Sequence, residues 1–184
     1  MSQHPGLSFS HVGIFVNDLA KMEAFYTRLL EFTVTDRGRL SGPHGPVELM
    51  FLSRNPDEHH QIVMATGRPA ELNFNVVNQI SMRADSLATL KNFHARLRQA
   101  EVREISPVTH GNAMSVYFRD PEGNRLEIFI DSPWYVTQPM RVDLPIELPE
   151  AELMQWVEAH ARQLPGFRPR AEWRAEMARK MGVA

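Results

Sequence analysis

The alternation of hydrophobic and polar residues predicts a strand, a helix and three further strands at the start of the chain. Phe9–Val16 alternates, which is typical of a strand, and the apolar residues from Leu19 to Leu30 recur at helical spacing. Asn17 and Asp18 stand where the N-cap of that helix is expected. The three further strands are predicted at Phe32–Leu40, Val47–Leu52 and His60–Ala65. The pattern is therefore βαβββ.

The same pattern returns 68 positions later, so that Gln79 stands where His11 stood. Three apolar residues of the first helix then overlay apolar residues of the second: Met22 on Leu90, Phe25 on Phe93 and Leu29 on Leu97. An internal repeat of this kind determines the architecture. We predict an α+β fold in which two tandem βαβββ modules, residues 8–66 and 76–131, form one curved mixed sheet.

The character of the chain changes after Asp131, where prolines punctuate an extended segment. Two short amphipathic helices are predicted after this segment, at about Glu150–Gln163 and Arg170–Met181. This segment is poor in core residues. We therefore predict one domain over residues 1–135 and a C-terminal extension over residues 136–184 that packs on the modules or on a second subunit.

The last two strands of the second module form a predicted hairpin around the turn sequence DPEG, which begins at Asp120. With a two-residue turn, Tyr117 and Glu127 would face opposite sides of the sheet. A one-residue bulge, which Gly123 can support, would bring both side chains to the same face. We predict the bulge.

Composition narrows the classes of function. The 184 residues carry a net charge of −2 without a basic block, so neither nucleic acid nor an anionic membrane surface is expected as a partner. The absence of cysteine excludes disulfides, thiolate metal sites and a cysteine nucleophile, and it suits a reducing compartment. No apolar run reaches the ~18 residues of a membrane span. We expect a cytoplasmic protein.

Two consecutive βαβββ modules resemble the vicinal oxygen chelate superfamily, which includes glyoxalase I, bleomycin-resistance proteins and extradiol ring-cleavage dioxygenases. Within it, the segment from Val108 to Glu127 is similar to the extradiol dioxygenase signature. The positions that carry the likeness are Val108, His110, Val116, Tyr117, Asp120, Pro121, Gly123 and Glu127. The resemblance covers residues 8–131 and is closest to one-domain extradiol enzymes, which act on catechols such as a dihydroxybiphenyl.

The resemblance implies a role for each matching residue. His11 matches the first iron ligand and Glu127 the carboxylate ligand. His110 and Tyr117 match groups that bind and polarise the catecholate. His60, or alternatively His59, matches the acid/base histidine.

One position departs from the family pattern, because Gln79 stands where the second iron-binding histidine belongs. The triad of two histidines and one carboxylate becomes His11, Gln79 and Glu127. Fe(II) is the metal that the resemblance implies, but glutamine is also a ligand in superfamily members that use zinc, nickel or cobalt for non-redox chemistry, and manganese is a further alternative.

Three functions follow from the resemblance. The first is an extradiol-type dioxygenase, an oxidoreductase of aromatic catabolism that cleaves a small aromatic diol. The second is a non-redox lyase or isomerase of the glyoxalase type, and the third a protein that binds an aromatic ligand without turnover. A homodimer is expected, since superfamily members usually pair. His94 is predicted to lie at the surface.

Overall fold

A computed structural model of the chain describes residues 6–42, 45–69, 71–72 and 74–183. The first module has the predicted order of one strand, one helix and three strands. Its elements are β1 (Val12–Val16), α1 (Leu19–Arg28), β2 (Thr33–Gly42), β3 (Gly45–Ser53) and β4 (Ile62–Thr66). In its sheet the strand order is β1-β4-β3-β2, and β1 runs parallel to β4.

The second module repeats this arrangement. Its elements are β5 (Ile80–Arg83), α2 (Leu87–Gln99), β6 (Ser106–Thr109), β7 (Ala113–Arg119) and β8 (Arg125–Asp131). Strand β5 pairs in parallel with β8, just as β1 pairs with β4. The first strands begin at Val12 and Ile80, and the helices at Leu19 and Leu87, so the 68-residue offset predicted from the sequence is confirmed.

Both module helices begin at a capping side chain in the same repeat position. The carboxylate of Asp18 accepts a hydrogen bond from the backbone N–H of Lys21 at 2.9 Å. Ser86 Oγ accepts the equivalent bond from Thr89 at 3.1 Å. Such caps satisfy N–H groups that the first helical turn leaves without a partner. The buried residues of α2, which form one stripe, are Leu87, Leu90, Phe93, His94 and Leu97.

The prediction of one continuous sheet needs correction. Among the described residues, the strands of the first module form a four-stranded sheet and those of the second form part of a five-stranded sheet. The fifth strand of that sheet is β10 (Val142–Asp143), which pairs antiparallel with β6. Each module therefore forms a sheet of its own, in which the first strand of the module pairs with its last strand.

The chain divides into two compact units. The first unit contains Ser8–Asn78 together with the hairpin loop Asp120–Asn124, and the second contains mainly Gln79–Arg119 and Arg125–Ala184. The C-terminal extension thus belongs to the unit of the second module.

The extension contains both predicted helices, α3 (Glu150–Ala161) and α4 (Arg170–Lys180), and the short strands β10 and β11 (Arg168–Pro169). Strand β9 (Trp134–Tyr135) lies immediately before the extension. Tyr135 stacks on Trp173 of α4 with ring centroids 5.4 Å apart, which fastens that helix to β9. Among the helices that the structure describes, none has the length and hydrophobicity needed to cross a bilayer.

The hairpin of the second module has the predicted bulge. Tyr117 lies directly opposite Glu127 in the antiparallel register. Between the strands, Gly123 N–H donates to the carbonyl of Asp120 at 3.0 Å, and Gly123 has a φ of 83°. A turn followed by a left-handed glycine is the three-residue loop that contains a bulge. Tyr117 and Glu127 therefore share one face of the sheet.

Candidate functional site

The cross-strand pair of Tyr117 and Glu127 is the centre of the candidate site in the second unit. Both side chains are almost fully buried, with exposed fractions of 7% and 6%. Glu127 Oε2 accepts hydrogen bonds from Ser81 Oγ at 2.5 Å and from Gln79 Nε2 at 3.0 Å. These donors come from the start of β5, which runs beside β8 with Ser81 opposite Glu127.

Gln79 thus reaches the place that the repeat predicted, beside the candidate carboxylate ligand. Its side-chain N–H groups face Glu127 and also Ser81 Oγ, at 3.0 Å. The carbonyl oxygen of the amide lies outside these bonds. Because the amide nitrogen of Gln79 donates its hydrogen bond to Glu127, the amide oxygen is left to coordinate a metal ion.

His110 is oriented by the C-terminal extension. Its Nδ1 lies 2.7 Å from the carbonyl oxygen of Met140. A carbonyl only accepts, so Nδ1 carries the proton, and in the neutral ring Nε2 is left as an acceptor. That nitrogen lies 3.0 Å from the Tyr117 hydroxyl. The Tyr117 hydroxyl can therefore donate its proton to this nitrogen.

The environment of Tyr117 keeps it protonated. Burial, and then the hydrogen bond and negative charge of Glu127, raise the pKa of Tyr117 to about 12, although the charge of Arg125 and the hydrogen bond from Gln79 act in the opposite direction. At neutral pH the side chain is a phenol that donates a hydrogen bond.

The first unit holds a second group of candidates, formed by three histidines. His11 lies immediately before β1, and its ring centroid is 4.2 Å from that of His60, in the loop before β4. His59 Nδ1 lies 2.9 Å from His60 Nδ1. Loss of solvation, followed by the charges of His11 and His59, lowers the pKa of His60. The two histidines that the sequence proposed as ligand and as acid/base are therefore neighbours.

The chemistry of Glu127 fits a metal ion. A buried carboxylate is costly without a partner, and the groups that contact Glu127 are a neutral hydroxyl, an amide and a phenol. A divalent cation would supply the missing positive charge. Within the described part of the chain, no three His, Asp or Glu side chains group closely enough to bind a metal ion. The predicted set contains only His11 and Glu127 of these types, because its third member is an amide.

Two residues of this site were missed in the sequence. Ser81 follows Gln79 by two positions, so the alternation of a strand could have placed it beside Glu127. No pattern in the sequence indicates the Met140 carbonyl, because its contact with His110 depends on the path of the C-terminal extension. The prediction that His94 lies at the surface is wrong: its exposed fraction is 6%, since it lies on the buried stripe of α2.

Comparison with known proteins gives the family. Residues 8–128 match the model of the Glyoxalase/Bleomycin resistance protein/Dioxygenase superfamily. The chain belongs to this superfamily. Members of the superfamily, the vicinal oxygen chelate proteins, include metal-dependent dioxygenases, lyases and fosfomycin resistance proteins. The family predicted from the repeat and the hairpin is therefore confirmed.

Individual members of the superfamily are more distant. Over 129 residues the chain is 27% identical to biphenyl-2,3-diol 1,2-dioxygenase 2 of Rhodococcus globerulus. The match covers 67% of this chain and 63% of that protein. The matched part is thus less than two thirds of the relative.

Solved structures of the superfamily share the fold. A glyoxylase/bleomycin resistance protein/dioxygenase domain from Frankia sp. EAN1pec is 23% identical with a TM-score of 0.57, covering 70% of this chain and 99% of that one. The fosfomycin resistance protein FosX from Mesorhizobium loti is 18% identical with a TM-score of 0.50, covering 68% and 91%.

Proposed function

We propose that the chain is a metal-dependent enzyme of the extradiol type, which opens the ring of a catechol with dioxygen. The observation that carries the proposal is the buried pair of Tyr117 and Glu127, with His110 Nε2 3.0 Å from the same phenolic oxygen. The Rhodococcus relative is named for a biphenyl-2,3-diol. A small aromatic diol is accordingly the substrate class that we propose.

The proposed metal ligands are His11, Gln79 and Glu127. The carboxylate of Glu127 and the carbonyl oxygen of Gln79 are hard donors, and His11 would add an imidazole. Fe(II) is the proposed metal, with zinc, nickel, cobalt and manganese as alternatives. When bound, Fe(II) would supply the redox chemistry that allows a catecholate to react with dioxygen.

The protein's own residues would manage the protons. His110, held by the Met140 carbonyl, presents Nε2 as a base for a phenolic proton of the substrate. Tyr117 remains protonated at neutral pH and donates a hydrogen bond to the oxyanion that this proton transfer creates. His60 is the proposed acid/base group of the first unit. Its lowered pKa favours the neutral ring, which can act as a base.

Oxygen uptake tests the proposal directly. The metal-free protein is loaded with Fe(II) under anaerobic conditions and mixed with 2,3-dihydroxybiphenyl and dioxygen. We expect equimolar oxygen consumption and a yellow ring-fission product, both abolished by a chelator. Tyr117→Phe should lower kcat by about 100-fold, while the matched control Tyr135→Phe should not. An iron-loaded protein that consumes no oxygen with any catechol would contradict the proposal.

Gln79 supports a second candidate, a non-redox lyase or isomerase of the glyoxalase type. A neutral amide oxygen is a weaker donor than imidazole, and it suits a metal that acts only as a Lewis acid. In that case zinc, nickel or cobalt would support conversion of a hemithioacetal without oxygen uptake. Ligand binding without turnover under either metal regime would instead indicate an aromatic-ligand binding protein.

The remaining part of the proposal concerns assembly and location. We propose a cytoplasmic homodimer, since the chain contains no cysteine and superfamily relatives usually pair. Sedimentation at micromolar concentration measures the assembly, and a monomer would contradict it.

A further inference from the structure

A polar pocket of about 310 Å³ in the second unit is bordered by residues that contact Tyr117. Its charged lining consists of Arg119, Arg125, Arg141 and Glu104. Three guanidinium groups therefore face one carboxylate, and the pocket carries an excess of positive charge. The extradiol signature does not include these arginines.

Arg125 connects the pocket to the candidate site. It lies two residues before Glu127 on β8, so both side chains are on the same face of the sheet. Its guanidinium carbon is 4.5 Å from the ring centroid of Tyr117. In the part of the chain that the structure describes, no carboxylate pairs with Arg125. The one acidic residue of the pocket, Glu104, accepts from Arg119 Nε at 2.7 Å.

Arg141 brings a second guanidinium group to the same region from the C-terminal extension. Its side chain donates to Ser106 Oγ at 2.9 Å. Ser106 is the cross-strand partner of Tyr117 on β6. Arg125 and Arg141 thus lie near Tyr117 on two sides, one from β8 and one from the segment before β10.

We propose that this pocket binds an oxyanion, and that the oxyanion is a carboxylate on the side chain of the catechol substrate. The inference rests on the proposed function and narrows its substrate class. Two residues along a strand span roughly 6.6 Å, which is comparable to the distance from a catechol oxygen to a short carboxylated substituent. Guanidinium groups bind carboxylates through two parallel hydrogen bonds, which makes arginine the suitable residue type.

The first experiment compares a charged substrate with its uncharged methyl ester. For the iron-loaded protein, kcat/KM is measured with 3-(2,3-dihydroxyphenyl)propionate and with its methyl ester. We expect the acid to be preferred by about tenfold or more, the size of one charge-assisted hydrogen bond. Arg125→Gln should remove most of that preference. Arg96→Gln should retain it, and it is a matched control because Arg96 covers the ring of Phe93 at 4.9 Å outside the pocket.

The second experiment does not depend on turnover. Calorimetry on the metal-free protein compares 3-phenylpropionate with 3-phenylpropanamide, and we expect tighter binding of the acid that Arg125→Gln abolishes. Such binding without ring cleavage would support the pocket while removing the proposed function. Equal kcat/KM for acid and ester in the unmodified enzyme would overturn the inference. Binding of inorganic phosphate at Arg125 without preference for the acid would also overturn it, since the pocket would then serve a free anion.

Discussion

Replacement of Glu122 should destabilise the first unit strongly, because its carboxylate holds the hairpin loop against the start of α1. Glu122 accepts hydrogen bonds from the backbone N–H groups of Asn17 at 2.7 Å and Asp18 at 2.8 Å. Arg68 lies 3.6 Å from the same carboxylate, and both side chains are nearly buried. Glu122 therefore acts as a negative charge at the positive end of a helix dipole.

These contacts determine how much stability the replacement of Glu122 should cost. A hydrogen bond to a charged group is worth about 1.5–3 kcal/mol, and the favourable dipole interaction about 0.3–1 kcal/mol. Water can reach Asn17 and Asp18, which are exposed, so part of the loss is recovered in the variant. We expect Glu122→Ala to lower the free energy of unfolding by about 2–4 kcal/mol, a cost that includes the unpaired Arg68.

Urea denaturation followed by circular dichroism measures this change. The matched pair is Glu122→Gln and Glu48→Gln, since Glu48 also forms a short ion pair, with Arg39 at 2.5 Å, but is half exposed. The surface variant should cost less than about 1 kcal/mol. If Glu122→Gln were no more destabilising than Glu48→Gln, the carboxylate would not stabilise α1 as argued.

Three further predictions concern single positions. Burial lowers the pKa of His94 below 6.5 in the fold, so the unfolded chain binds more protons and stability should fall as pH decreases from about 6.5 through the folded pKa. His94→Gln should remove this slope in urea titrations. Gln79→His should tighten Fe(II) binding by at least about tenfold, and unchanged affinity in a metal titration would mean that Gln79 is not a ligand. Gly111→Ala should cost about 2–4 kcal/mol in thermal unfolding, because φ is 71° and the new Cβ would overlap Val136; Val136→Ala should restore part of the loss.

Much of the fold could be predicted because the repeat shows the sequence pattern of each element twice, 68 residues apart. A helix start is ambiguous when Asp18 is considered alone, but Ser86 marks the same position 68 residues later, and both residues cap. The face shared by Tyr117 and Glu127 also followed from local chemistry, because Gly123 tolerates the left-handed conformation that the bulge requires.

The rest depended on contacts between distant segments. Nothing near His110 in the sequence indicates that the Met140 carbonyl fixes its tautomer. The hairpin loop likewise gave no sign that Glu122 would bind the backbone of Asn17, more than a hundred residues earlier. The division into two sheets was missed because strand order is a property of pairing rather than of hydrophobic pattern.

The repeat has a consequence for how the site can change. His11 and Gln79 occupy one structural position in two copies, immediately before β1 and β5. Codons for glutamine and histidine differ by a single base, so one point mutation can exchange amide and imidazole at either copy without altering the strands. Under the proposed ligand set, one such mutation would change the metal preference while leaving the hairpin with Tyr117 and Glu127 unaltered.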